Sequence, residues 1–154
     1  MKTALRVYVD TSVFGGVFDE EFARTSQAFF EQVRKGRIQL VTSGVVEEEL
    51  VSAPERVRAL FAELLPSMER VDLTPEALGL RRAYLAAGIV TPKSAADALH
   101  VAVASVSRCS VLVSWNCRHI VHFQKIPMYN AVNRIHGWPE IAIHTPLEVM
   151  NVED

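Results

Sequence analysis

Short apolar runs alternate with longer stretches of helical periodicity along nearly the whole chain, and this alternation restricts the fold more than any single residue does. Leu5–Val9 reads as a short buried strand, and "EFARTSQAFFEQVRKG", residues 21–36, as an amphipathic helix stopping at Gly36. "IQLVTS" reads as a second strand, followed by a helix through "GVVEEELVSA", one opened by Pro54 and running to Leu65, and another after Thr74-Pro75. "TPKSAADALHVAVASVS" holds a turn, a cap at Ser94 and a long Ala/Val helix; "CSVLVSW" is a third strand, and "MYNAVNRIHG" and "EIAIHT" give a last helix and strand. Strands joined by helices of this length must run parallel, with the helices on the faces of the sheet. The expected fold is therefore α/β: a single-domain, three-layer α/β/α arrangement with a central parallel sheet, spanning residues 1–154.

The composition agrees, since 154 residues with 49% hydrophobic and 22% charged side chains can close one core without disulfides or a structural metal. Formal net charge is −2, which excludes a protein that coats nucleic acid by bulk electrostatics and leaves room only for a local basic face. Cys109 and Cys117 form no CxxC pattern and read as reduced thiols, as suits a cytoplasmic protein. The amino terminus reaches a charge too soon for a leader core, and no stretch approaches a membrane span, so no membrane partner is expected.

In a parallel sheet, ligands bind in the crevice outside the carboxyl ends of the strands. Asp10 closes the first strand at that end, and Asn116 lies just beyond "VLVS". Asp10 reads either as a turn or cap residue or as a carboxylate for a hard divalent cation such as Mg²⁺ or Mn²⁺, which wants oxygen ligands on a rigid element. In Glu47-Glu48-Glu49, a core stripe of Val46, Leu50 and Ala53 turns Glu48 outward and Glu47 to the flank, leaving Glu49 nearest the buried edge, with Glu47 as the fallback. Asp97 stands where a capping-box acid belongs after Ser94, yet its inward neighbours Val101 and Ala104 also make it a metal-ligand candidate in a helix first turn. Carboxylates gathered in one crevice raise one another's pKa unless a cation bridges them.

Taken in order, "VYVDTSVF", "GVVEEELVSA", "SAADALHVAVA" and "VLVSWNCRHI" resemble the PIN-domain nucleases, particularly the VapC-like toxins of prokaryotic toxin–antitoxin pairs. The resemblance covers nearly the whole chain. It implies Mg²⁺- or Mn²⁺-dependent endoribonuclease activity, with Asp10, Glu49, Asp97 and Asn116 as catalytic and metal-binding residues; many relatives have aspartate at the Asn116 position. It also implies a homodimer, a cognate antitoxin and an RNA substrate. An amide at Asn116 adds no charge, so a second metal would bind more weakly. His119 occupies a place that is often acidic in the toxin branch, although as a residue it reads as an exposed polar group following a strand.

Thr11, Ser12 and Ser114 read as turn hydroxyls or as contacts to phosphate and metal-bound water, and Arg118, with Arg81, Arg82 and Lys93, as backbone contacts or a solvated face. His100, one turn after Asp97, reads as a satisfied buried histidine or as an acid/base group beside the site. Trp115 reads as a packing aromatic, with base stacking as the alternative, and Gly15-Gly16 as a place where the chain turns away. Two rivals remain at this stage. One is a metal-dependent α/β phosphoesterase with an aspartate nucleophile, against which Ser12 stands where Asp-x-Asp needs its second acid; the other is a catalytically weak RNA-binding or assembly module.

Overall fold

The computed structural model describes residues 4–150, so the first three residues of the amino-terminal stretch and the last four of the expected domain lie outside the described residues. Five parallel strands form one sheet in the order β3-β2-β1-β4-β5: β1 (Leu5–Val9), β2 (Ile38–Ser43), β3 (Glu69–Val71), β4 (Val111–Val113) and β5 (Ala142–His144). Between and after them run α1 (Thr11–Gly16), α2 (Ala23–Arg34), α3 (Gly44–Leu50), α4 (Glu55–Leu64), α5 (Pro75–Ala86), α6 (Ala95–Val106), α7 (Lys125–Ile135) and α8 (Pro146–Met150). Helices α1, α2, α4 and α8 pack among themselves, as do α5, α6 and α7, giving the two outer layers expected of an α/β/α fold. Among the described residues no helix is long and apolar enough to cross a membrane.

The order dictates where a ligand can enter. From β1 the chain winds outward through β2 to β3, then returns to the other side of β1 for β4 and β5, so the winding reverses at the β1–β4 boundary. Loops leaving the carboxyl ends of two such strands diverge to opposite faces and open a crevice between them. β1 lies at the centre with Val7, Tyr8 and Val9 fully buried, each side chain contributing about 1.5–3 kcal/mol of apolar burial.

Several expectations are met closely. The second strand is residue for residue Ile38–Ser43; Gly36, at φ 75°, stops α2; and Thr74 caps α5 by accepting the Ala77 N–H on Oγ1 at 3.2 Å. Others are corrected. The strand read over residues 109–115 pairs only over Val111–Val113, because the chain turns at Arg108 in the left-handed region, φ 57°, and leaves the sheet at Ser114. Ser94 stands at the head of α6 behind a 3-10 turn, Pro92–Ser94, and its hydroxyl meets His119 Nε2 at 3.3 Å instead of capping the helix, so no capping box forms with Asp97. Strand β3 has no apolar alternation to announce it: Glu69 and Arg70 are exposed at a sheet edge and held by charged partners, Arg6 on Glu69 and Glu47 on Arg70.

Gly15 and Gly16 do not turn the chain; they end α1. A Cβ on Gly16 would lie 2.6 Å from Ser26 Oγ and 2.8 Å from Trp115 Nε1, atoms already hydrogen-bonded to each other, whereas a Cβ on Gly15 meets nothing within 4 Å. The two adjacent glycines therefore separate experimentally. Gly16→Ala should cost about 1–3 kcal/mol of unfolding free energy in urea denaturation, and Gly15→Ala should be neutral or stabilising by about 0.5–1 kcal/mol.

Candidate active site

Asp10 leaves β1 at the reversal point and is only 4% exposed. Its two oxygens are held by hydroxyls from both walls of the crevice: Ser12 Oγ donates to Oδ1 at 2.6 Å, and Ser114 Oγ, just past β4, donates to Oδ2 at 2.7 Å. Those hydroxyls also order the loop after β4, since Ser12 Oγ accepts the Trp115 N–H at 2.9 Å and Ser114 Oγ accepts the Asn116 N–H at 2.8 Å. Ser12 and Ser114, expected at the substrate, thus orient the carboxylate. Thr11 behaves alike, donating its hydroxyl to Glu49 Oε1 at 2.5 Å.

The helical register places the three glutamates of α3 as expected. Glu48 is exposed, Glu47 is engaged by Arg70, and half-buried Glu49 reaches inward to bond His100 Nε2 at 2.7 Å. Glu47 therefore drops out as a site residue. Asp97, in the first turn of α6, is half-buried and makes no side-chain hydrogen bond to a described residue; with Ser94 turned away, it has no capping role.

Asn116 is placed differently from the expectation of a ligand. Its Oδ1 accepts the N–H groups of Arg118 at 3.2 Å and His119 at 2.9 Å, so the side chain shapes the loop and its one good ligand atom is occupied. Arg118 is exposed, as are Arg82 and Lys93, while Arg81 is half-buried. Trp115 stacks on Phe22 with centroids 4.3 Å apart and donates to Ser26 Oγ, as a packing aromatic does.

His100 joins the acids. It is 2% exposed, with Nε2 on Glu49 and Nδ1 2.8 Å from the Tyr8 hydroxyl, which lies 2.8 Å from Ser43 Oγ. Tyr8 and Ser43 escaped the sequence reading; the available signal was a tyrosine in an otherwise aliphatic buried strand, where its hydroxyl must find a partner. Burial lowers the proton affinity of His100, but the Glu49 bond and the charges of Asp10, Glu49 and Asp97 outweigh it and lift the pKa above the ordinary imidazole value. Burial pushes Glu49 up, yet the bond and charge of His100 and the Thr11 hydroxyl hold it below the usual carboxylate value. For Asp10 burial dominates: the charge of His100 and the two serine bonds oppose it, the Glu49 charge adds to it, and the pKa ends raised.

Among the described residues Asp10, Glu49 and Asp97 have no Lys or Arg partner. Their donor set of hard oxygens around a buried carboxylate suits Mg²⁺ or Mn²⁺ in kind. As placed, no group of three or more His, Cys, Asp or Glu side chains among the described residues is disposed to hold a metal ion, so the arrangement supplies donors and not a finished cage.

The pKa directions fix a pH dependence for the metal-free protein. With its folded pKa raised, His100 contributes stability that is complete below about pH 6.5 and is lost as pH rises through the folded value. With its folded pKa lowered, Glu49 contributes stability that is present above its ordinary value of 4.5 and is lost as pH falls through the folded value. The pair is thus fully stabilising between about pH 4.5 and 6.5, and Asp10, being raised, contributes stability that is lost as pH rises through its own folded value. Urea denaturation in EDTA should show lower unfolding free energy at about pH 8.5 than at about pH 6, with a shallower fall in His100→Gln. A flat wild-type profile would contradict the assigned pair.

The family model described as PIN domain matches residues 7–118, a span that carries Asp10, Glu49, Asp97, His100 and Asn116. The solved structure of VapBC2 from Rickettsia felis, bound to a DNA fragment from its promoter, is similar with a TM-score of 0.59 at 14% identity, over 92% of this chain and 98% of the other. FitAcB from Neisseria gonorrhoeae is similar with a TM-score of 0.60 at 14% identity, over 92% of this chain and 98% of the other. At such identity these likenesses speak for the fold. No curated protein sequence matches the chain. Since the matched span covers most of the chain and holds the crevice acids, the chain belongs to the PIN domain family of nucleases.

Proposed function

We propose that the protein is an endoribonuclease of the toxin type that uses Mg²⁺ or Mn²⁺, held by Asp10, Glu49 and Asp97. The observation that carries this reading is the gathering of carboxylates from the end of β1, from α3 and from α6 around buried His100, without a Lys or Arg partner among the described residues. A bound cation supplies Lewis-acid activation of water and neutralisation of charge on the phosphodiester. The chain's own residues prepare for it. Ser12 and Ser114 keep both oxygens of Asp10 aimed, Thr11 and His100 hold Glu49 by one oxygen, and no described residue hydrogen-bonds the Asp97 side chain. Asn116 acts through the loop, presenting exposed Arg118 for contact with the RNA backbone. A partner antitoxin and a homodimer belong to this proposal, in line with the VapC-like pattern of motifs.

A second reading, a catalytically weak RNA-binding or assembly module, draws support from the occupied oxygen of Asn116. Incubation of purified protein with total cellular RNA and Mn²⁺ or Mg²⁺ separates the two. The nuclease reading expects cleavage that EDTA abolishes and that Asp10→Asn and Asp97→Asn each reduce by about a hundredfold or more. Asn116→Ala should lower activity by about tenfold or less through loosening of the loop. Cleavage surviving both aspartate substitutions, or RNA binding without cleavage, would remove the assignment.

A further inference from the structure

We infer that Ser43, Tyr8 and His100 form a positioning relay that fixes Glu49 for cation binding, an inference that rests on the proposed cation site. Glu49 Oε1 receives two donors, Thr11 Oγ1 at 2.5 Å and His100 Nε2 at 2.7 Å, while no described side chain donates to Oε2. One oxygen is thereby anchored and the other left for a ligand. An ionised carboxylate accepts only, so His100 must carry its hydrogen on Nε2, and its orientation depends on what meets Nδ1. That partner is the Tyr8 hydroxyl at 2.8 Å, itself 2.8 Å from Ser43 Oγ.

The chain of hydroxyls has no loose end in either state of the ring. With a neutral imidazole, Tyr8 donates to Nδ1 and accepts from Ser43; with an imidazolium, Nδ1 donates to Tyr8, which donates to Ser43. The ring is 2% exposed and bonded at both nitrogens, so a rotation would break both bonds in a place that water does not reach. The members come from separate elements: Tyr8 from β1, Ser43 from the end of β2 where α3 begins, Glu49 from α3 and His100 from α6. The relay therefore ties two helices that carry acids, α3 and α6, to the strand that carries Asp10. Partners of this kind set ligand orientation, and their loss typically weakens metal affinity about 10–100-fold.

Isothermal calorimetry with Mn²⁺ alone, on the full chain without RNA, tests the relay. Tyr8→Phe, which keeps the ring and removes the hydroxyl, should bind Mn²⁺ about tenfold more weakly while its circular dichroism stays native. Ser43→Ala, one link further out, should show a smaller loss, and the double variant should bind no more weakly than Tyr8→Phe because both act through one chain. His100→Gln, whose amide can still donate to Glu49, should retain affinity that His100→Leu loses. If Tyr8→Phe and Ser43→Ala melt at lower temperature yet bind Mn²⁺ like the wild type, the residues are structural only and the relay is overturned. Should Tyr8→Phe fail to fold, Ser43→Ala decides alone, with wild-type affinity counting against the relay. A wild-type protein without saturable Mn²⁺ binding overturns the cation site and the relay with it.

Discussion

Asp10 is a carboxylate at the end of the central strand, almost wholly withdrawn from water, and the arrangement of the molecule around the crevice follows from satisfying it. A buried carboxylate is tolerable only when donors surround it or a cation faces it. Ser12 comes from the helix that follows β1 and Ser114 from the end of β4, while His100 of α6 acts on Asp10 through its charge alone. These donors converge because the winding reverses between β1 and β4. A strand order without that reversal would send the two loops along the same face and leave Asp10 without its second serine. The burial of one charge and the topology of the sheet are thus a single constraint seen at two scales.

Two polar arms line the crevice: one runs from Asp10 through the serines to the loop holding Trp115 and Asn116, and the other from Thr11 and Glu49 through His100 to Tyr8 and Ser43, coupled to Asp10 by charge. Both arms return to backbone groups or fixed hydroxyls, so the interior of the crevice is rigid on the protein side. Rigidity has an electrostatic counterpart. His100 and Glu49 favour each other's ionised forms, whereas Asp10 carries the penalty of burial, so the site concentrates its unrelieved cost on the acid at the strand end. The proposed cation would relieve that cost by binding where the cost is greatest. Stability given up at a site and recovered on ligand binding is common in functional crevices.

Much of this was legible in the sequence, for physical reasons that differ from residue to residue. β1 and β2 announced themselves because their buried centres, residues 7–9 and 40–41, read as short apolar runs, and Glu49 was separable from Glu47 and Glu48 because α3 keeps a regular stripe. β3 was not legible: it is a three-residue edge strand whose exposed Glu69 and Arg70 are paired with Arg6 and Glu47, partners that lie far away in sequence. The hydroxyls of Thr11, Ser12 and Ser114 looked like substrate contacts because no local pattern distinguishes a hydroxyl facing solvent from one turned onto a carboxylate. Only the pairing of β1 with β4 brings Ser114 to Asp10. The same limit hid Tyr8, whose partners Ser43 and His100 belong to other elements.

The segment beyond residue 118 also acquires a role from geometry. The family match ends at residue 118, yet the loop bearing Asn116 is held from beyond that point. Tyr129 of α7 donates its hydroxyl to the His119 carbonyl at 2.8 Å, and the Ser114 N–H donates to the His144 carbonyl of β5 at 3.1 Å. Tyr129 is itself fixed edge-on against Tyr84 of α5 at 4.9 Å between centroids, and Tyr84 donates to Asn133, whose amide donates to Ser105 of α6. The loop after β4 is therefore clamped by Ser12 on the Asp10 side and by α7 and β5 on the other. The Asn116 amide is held by the chain's own N–H groups, and α7 and β5 brace the same loop from its other side. The segment beyond residue 118 and the amide together keep the far wall of the crevice in place without a fourth negative charge.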